Sequence, residues 1–584
     1  MLTDSTLGDR VADAVVEQGL LLDPYRVPAT SGEVAVEGQL VIEGTAVSVK
    51  MILPAEFPLA FPLLYLLPWD ALGFIPHVLE TSGYICYVAM EGLLLDRRNP
   101  VGIVAEAIRR AAALLSDGVT GANQADFVDE FESYWNRLPD GVNVFSLVEP
   151  SGEVRPLIRA ISKNRNSFLA ASEAAIASFY NESSVAGRYT IQNAIFLALE
   201  AGYGVVPPRP DGRIWTAEEV RGALLPGLSP ANVARLRKLT KGRCRAQEYV
   251  VVGIPRPSGG TTMFGMRFDG VGDIHPLMEN GTAERLVPLR LERLERSYLI
   301  PRGGGEAELG SKHVLLAGCG SVGGYLALEL ARAGVLELTL VDADVLSVEN
   351  TFRHVLGREH WGHKKTEALK TAIEAKLPYT RVNAVAGTLQ GAAAQGSIDP
   401  AAFDLVICAL GNPTVELTFD EYLQRLPRHP PAIYTWLEPF GIGGHAVVAG
   451  NVPRGCFTCL HTSPIEENDE LLNRAAFSVP DPKRPFSRAI SGCGNLHTPY
   501  GSMAAVRTAV LAASLAVDIL SGREHGNPLL SWKGDPAHYM GAGYETSNRF
   551  EMSEEQLFAS RYSWVSPRCP VCGGHSGTGA ESGQ

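Results

Sequence analysis

The chain has 584 residues, 46% of them hydrophobic and 20% charged, with a formal net charge of −13 and a pI near 5.6. That length suits three to four globular domains, and the ordinary balance of apolar and charged residues is that of globular protein. The acidic charge argues against nucleic acid or an anionic membrane as partner. The N-terminal MLTDSTLGDRVADAVVEQG carries acids and no long apolar core, so no leader is expected there. Nine cysteines in such a chain point to reduced thiols in the cytoplasm, with metal or catalytic roles ahead of disulfides.

Residues 1–22 predict an amphipathic helix. EVAVEGQLVIEGTAVSVKMILP alternates apolar and polar residues on either side of Glu43–Gly44, the pattern of a hairpin. The proline-dotted FPLAFPLLYLLPWD suits neither a regular central strand nor a helix. IPHVLETSGYICYVAM and the helical PVGIVAEAIRRAAALLSDG follow, and NQADFVDEFESYWNRL, residues 123–138, predicts a single amphipathic helix closing a first domain. This order of elements, with G-x-I-C after a proline–histidine pair, resembles the ubiquitin-conjugating family and implies an α+β fold over residues 1–140. The resemblance places the thioester on Cys86. The family's histidine–proline–asparagine triplet is not intact: Ile75–Pro76–His77 stands in its place, so His77 would occupy the asparagine position and offer an N–H to the oxyanion. A small buried cysteine is the plainer alternative for Cys86.

From residue 141 to 306 the text is mixed α+β and reads as a linker domain. EYVVVGIP and TTMFGMRFDG predict strands, and TAEEVRGALL predicts a helix capped by Thr216 with Glu219 three residues on. Cys244, in KLTKGRCRAQ, reads as a solvated loop thiol. Pro301 to Glu306, PRGGGE, predicts a flexible joint.

The apolar run His313 to Ala317 predicts a buried parallel strand, followed by GCGSVGG with Gly318, Gly320 and Gly323 in G-x-G-x-x-G spacing. A helix over Tyr325 to Ala333 and a strand from Leu336 to Val341 come next, ending in Asp342, 24 residues after Gly318. The glycines suit a tight turn, a close phosphate and close helix packing, and the acidic residue suits a ribose hydroxyl. An NAD-linked dehydrogenase has that signature. The next run, DADVLSVENTFRH and WGHKKTEALK, adds Asn350, Arg353 and Lys365, a set suited to a triphosphate and a leaving pyrophosphate. With it, Gly318 to about Gly522 resembles the ThiF/MoeB and ubiquitin-activating adenylation domain. That implies a Rossmann-type α/β fold over 307–584, ATP and Mg²⁺, and a homodimer. The strand Asp404 to Leu410 ends in Gly411–Asn412, where the family has aspartate–asparagine, so a magnesium-assisting aspartate is missing and Asp344 is the candidate to replace it.

Cys456-x-x-Cys459 and Cys569-x-x-Cys572 have the spacing of a closed, tetrahedral, structural Zn²⁺ site. Cys319 falls in the glycine turn and Cys408 in a strand. Cys493, in the loop SGCGNLHTPYGSM before an apolar helix from Met503 to Leu520, stands where ubiquitin-activating relatives carry their thioester cysteine, with His497 nearby. His445 reads as a satisfied core residue. Taken together, the resemblance covers a bacterial fused activating and conjugating protein, as in type II CBASS anti-phage operons. It implies that the C-terminus of a ubiquitin-like modifier, or of a cGAS/DncV-like nucleotidyltransferase, passes from ATP to Cys493, to Cys86 and to a lysine of a target protein. The same relay in another ubiquitin-like operon, sulfur-carrier adenylation, and a catalytically silent scaffold are the alternatives.

Overall fold

The computed structural model describes residues 5–30, 32–88, 92–209, 213–242, 244–451, 455–463, 471–489 and 496–573. They form two compact units: residues 1–173 with 186–293, and residues 174–185 with 294–584.

The first unit opens with α1 (Ser5–Glu17) and a four-stranded antiparallel meander, β1 (Leu22–Val27), β2 (Val34–Ile42), β3 (Thr45–Leu53) and β4 (Leu63–Leu67). The β2–β3 turn is where the alternation placed it, with Ile42 opposite Thr45 and both Glu43 and Gly44 at positive φ. The proline-dotted stretch does contain a strand: β4 is the proline-free run between Pro62 and Pro68, last in the sheet order, and its outer side is bonded to the loop beyond, Leu66 N–H to Gly83 O and Ile85 N–H to Leu64 O. Helix α2 (Pro100–Thr120) lays Val104, Ala107, Ile108, Ala111 and Leu115 on the sheet, capped by Asn99 and stopped by Gly121.

Residues 123–138 are two short helices, α3 (Asp126–Asp129) and α4 (Phe131–Asn136), broken at Glu130. The expectation of one helix closing the first domain fails because its aromatic residues serve the next one. Phe131 stacks on Phe264, Trp135 packs against the same ring at a tilt, and the Trp135 indole donates to the Gly265 carbonyl at 2.8 Å. That next body is a closed seven-stranded barrel built from β5 (Val142–Ser146), β6 (Arg155–Ser162), β7 (Ser167–Ala170), β8 (Tyr189–Ala198), β9 (Gln247–Pro255), β10 (Thr261–Asp269) and β11 (Arg285–Arg293). Helix α6 (Ala217–Leu224) carries the Thr216–Glu219 capping box, and α7 (Pro230–Leu239) follows it. Between β7 and β8 the chain crosses to the second unit, forming α5 (Glu173–Phe179), where Asn181 donates to the Glu374 and Leu377 carbonyls at 2.8 Å.

In the second unit α8 (Arg296–Arg302) runs through Pro301, and the stretch expected to be a loose joint is hydrogen-bonded: Gly305 N–H reaches Ile300 O and Glu306 N–H reaches Ala333 O. A seven-stranded sheet follows from β12 (His313–Ala317), β13 (Glu337–Val341), β14 (Arg381–Val385), β15 (Leu405–Cys408), β16 (Ala432–Leu437) and β17 (Gly443–Ala449), with a last strand after residue 528. Its order is β14-β13-β12-β15-β16-β17 and then that last strand, parallel from β14 to β16 and antiparallel beyond. The order reverses between β12 and β15, which opens a crevice at their carboxyl ends. Helices α9 (Ser321–Ala333), α10 (Lys365–Lys376), α11 (Leu389–Ala394), α12 (Pro413–Gln424) and α13 (Phe457–His461) flank the sheet. A two-residue ribbon, β18 (Arg488–Ala489) with β19 (Leu496–His497), precedes α14 (Ser502–Leu520), and β20 (Leu529–Lys533) completes the sheet. Among the described residues α14 is the one helix long and apolar enough to cross a membrane; its Ala505, Ala509, Ala512 and Ala516 face is buried in the core with α9.

Candidate active sites

The crevice holds the glycine turn. Gly318 sits at φ +93°, a conformation that favours glycine, and a Cβ on Gly323 would be driven into the Gly318 carbonyl. Gly320 differs: its Cβ would meet no atom within 4 Å, which leaves room for a ligand at the N-terminus of α9. Helix α9 starts at Ser321, four residues before the predicted Tyr325, because Gly320 and not the glycine run as a whole ends the turn. Asp342 fastens this turn to β13: Oδ2 accepts from Cys319 N–H at 2.6 Å and Oδ1 from Asp344 N–H at 2.7 Å.

The cleft beside it has a volume of about 430 Å³, and Gly320, Asn350, Arg353 and Lys365 all line it. Lys365 begins α10 with its side chain 10% exposed and its Nζ 2.8 Å from Asp344 Oδ2. Arg353 lies over the Tyr500 ring at 5.2 Å. Asn350 Oδ1 closes its own turn by accepting from Ser347. Gly318, Asp342 and Asp344 line an adjoining recess that Lys365 shares. Two cations, an open glycine and a helix N-terminus make this a polyphosphate-shaped site.

Three side chains escaped the sequence reading. His354 donates from Nε2 to the Cys319 carbonyl at 2.8 Å while Nδ1 accepts from Leu356 N–H, and burial lowers its pKa, so a neutral ring braces the turn. Its place directly after Arg353 was the available signal. Tyr500 shares a hydrogen bond with Ser321 at 2.8 Å. Glu416 lies in the floor, accepting from the Leu410 and Gly411 N–H groups at 3.1 and 3.2 Å; burial pushes its carboxyl up to about 7. At the position of the missing aspartate, Gly411 takes φ +63° and Asn412 caps α12 through Val415 N–H. We expect Gly320→Ala to leave the melting temperature unchanged but to weaken nucleotide binding, and Gly323→Ala to lose about 1–3 kcal/mol of stability. Equal melting temperatures for the two variants would contradict that division.

Cys456, Cys459, Cys569 and Cys572 come together with their sulfurs all within 4.8 Å, including pairs at 3.8, 3.3 and 3.1 Å. A tetrahedral ion with bonds of about 2.3 Å fits four such thiolates and leaves no position open. Asp420 orients the first pair by accepting from Phe457 N–H at 2.9 Å. Cys408 and Cys319 are fully buried. His445 is a core residue with both nitrogens satisfied, by Ser531 at 2.8 Å and Glu438 at 3.1 Å. Cys493 lies outside the described residues, in the segment 490–495 that joins β18 to β19.

In the first unit Cys86 is exposed, so the buried-core alternative does not hold. Desolvation by its neighbours, and then the charge of Glu130, raise its thiol above the ordinary value. Its N–H donates to the His77 carbonyl at 2.8 Å. His77 itself, at φ +64°, does not offer its ring to an oxyanion. Nε2 lies 2.8 Å from Asp126 and Nδ1 2.9 Å from Glu130, so both nitrogens are engaged, and the bond to Glu130 above all pushes its pKa up to about 9. His77 therefore ties the cysteine loop to α3 and α4. A folded-state value raised above the ordinary one of about 6.5 gives stability that is complete below that pH and lost as pH rises through about 9. Thermal melts across that range should fall in the wild type and flatten in His77→Gln; parallel curves would contradict the clamp.

Residues 11–144 match the prokaryotic E2 family B, and residues 294–549 match the ThiF family. The chain is 26% identical over 489 residues to the ATP-dependent ubiquitin transferase-like protein Cap2 of Pseudomonas aeruginosa, spanning 80% of this chain and 84% of that one. It is 28% identical over 288 residues to a sulfur carrier protein adenylyltransferase of Thermus thermophilus, spanning 48% of this chain and 91% of that one. Among solved structures it is similar to Escherichia coli MccB with ATP, at 16% identity and a TM-score of 0.31, covering 46% of this chain and 68% of that one.

Proposed function

We propose, from the premise that a prokaryotic E2 family B segment and a ThiF segment are joined here in one ATP-dependent activating and conjugating enzyme, that the chain carries an acyl group from one segment to the other. Residues 1–140 serve as the conjugating module, 141–306 as the link and 307–584 as the activating module. The C-terminal carboxylate of a ubiquitin-like modifier attacks the α-phosphorus of ATP, and the bond to the β-phosphate breaks to release pyrophosphate. Arg353, Lys365, Asn350 and the N–H groups at Gly320 carry the charge that develops. The Cys493 thiolate then attacks the acyl carbonyl and expels AMP. The Cys86 thiolate attacks that thioester and expels Cys493 as a thiolate. A target lysine amine then attacks the Cys86 thioester, loses its proton and expels the Cys86 thiolate, leaving an isopeptide.

The observation that carries this reading is the exposed Cys86 in a segment of the E2 family, on the same chain as the ThiF cleft. Sharing one chain holds the two thiols at an effective concentration on the order of millimolar. Likeness to the ubiquitin transferase-like Cap2 over most of both chains supports a modifier as the acyl donor, and the resemblance to CBASS fusions makes a cGAS/DncV-like nucleotidyltransferase in anti-phage defence the candidate. A homodimer through the activating modules belongs to the same reading, as does a cytoplasmic location. Magnesium accompanying ATP would draw on Asp344, 69% exposed, since Gly411 offers no carboxylate. A structural zinc on the four clustered cysteines ties the C-terminal tail to the sheet.

Sulfur-carrier adenylation, favoured by the Thermus relative, explains the second unit and leaves Cys86 without work. Non-reducing gels of the wild type with Mg-ATP and a candidate modifier separate the two. The relay predicts thiol-sensitive adducts that Cys493→Ala removes entirely; adducts that persist in that variant would refute the order of transfer.

A further inference from the structure

The barrel of the first unit contains a second cavity, of about 430 Å³, between the end of α7 and the start of β9. Nothing in the relay uses it. His275, in the loop after β10, is 3% exposed and lines it. Its Nδ1 accepts from Leu277 N–H at 3.2 Å, and its Nε2 has no hydrogen-bond partner. Burial lowers the ring's pKa to about 4, so at neutral pH the ring carries one proton, on Nε2. That proton also bars the nitrogen from taking a metal. Glu248 Oε2 stands 4.0 Å from Nε2, while the other Glu248 oxygen accepts from Arg245 N–H at 2.9 Å. The wall thus presents one donor and one acceptor side by side, and a buried donor left unanswered is destabilising. Lys241 and Arg245, both exposed, stand at the mouth.

We propose that this cavity binds a nucleoside phosphate, with an acceptor–donor edge of the base against His275 and Glu248 and the phosphate at Lys241 and Arg245. A nucleobase edge places an acceptor beside a donor on one rigid plane, which answers both groups at once, and the basic mouth answers the charge. The volume falls within the range of small-molecule sites. The proposal is independent of the relay, because it concerns the barrel and not the glycine turn.

Hydrogen exchange on the full chain tests it, with AMP, GMP, CMP and UMP added in turn and uncharged nicotinamide as a control. Peptides spanning 239–248 and 271–282 report the barrel, and peptides spanning 313–325 report the glycine turn separately. At least one nucleotide should slow exchange in the barrel peptides, and His275→Ala should abolish that protection. Lys241→Glu with Arg245→Glu, both at exposed positions, should weaken it about tenfold or more without altering protection at the turn, and this variant decides the matter if His275→Ala does not fold. The proposal is overturned if no nucleotide protects the barrel, if protection survives in the mouth variant, or if nicotinamide protects as well as a nucleotide.

Discussion

Cys86→Ala is expected to abolish isopeptide formation, by a factor on the order of 10³ or more, while leaving ATP–pyrophosphate exchange at the wild-type rate. Exchange is read at the glycine-turn cleft of the second unit, and Cys86 belongs to the first. Cys86 is the one thiol in the described part of its loop, where the neighbouring Tyr84 and Tyr87 hydroxyls are raised in pKa, both with burial as the main cause. The thiol's own raised pKa sharpens the expectation. Desolvation and Glu130 hold it above the ordinary value, so the rate of loading should climb with pH through and beyond neutrality until the thiolate dominates. Isopeptide product from Cys86→Ala at even a tenth of the wild-type level would mean that the acyl group bypasses this residue.

Arg353→Ala and Lys365→Ala should each lower ATP–pyrophosphate exchange by about 10²–10³-fold, the usual cost of removing one preorganised charge from a transition state. Neither change should unfold the unit. Arg353 rests on an aromatic face, and Lys365 is anchored at the start of a helix whose core contacts are made by Ala368, Leu369 and Ile373. The two differ in what they leave behind. Without Lys365 the Asp344 carboxylate loses its partner at 2.8 Å and faces the recess unpaired, so Lys365→Ala should raise KM for ATP more than Arg353→Ala does. The double variant should be far from additive, since both residues act on the same leaving group. Exchange within a few-fold of wild type in either single variant would remove the cleft from the chemistry.

Local pattern decided most of what the sequence made legible. The hairpin at Glu43–Gly44 and the Thr216 capping box depend on near neighbours and appear as read, and the cysteines of the paired C-x-x-C elements lie together. Tertiary partners hid the rest. NQADFVDEFESYWNRL has a helical period, yet Phe131 and Trp135 find Phe264 and Gly265 more than a hundred residues on, and the helix breaks at Glu130 to reach them. His77 read as an oxyanion donor because only its position relative to Cys86 was visible, whereas its ring partners, Asp126 and Glu130, come from α3 and α4. No sequence motif marks Glu416; only the turn at Gly411 reveals the two N–H groups it holds.

The four-sulfur cluster dictates an order of assembly during synthesis. Its first two cysteines, Cys456 and Cys459, are made more than a hundred residues ahead of Cys569 and Cys572, so the cluster closes only after that whole stretch has left the ribosome. The meander around Cys86 pairs only successive strands and can fold while translation is still under way. A nascent chain therefore holds a folded meander well before the four cysteines of the second unit can meet, and a ribosome that stalls before Cys569 leaves the meander attached to a second unit without its sulfur cluster.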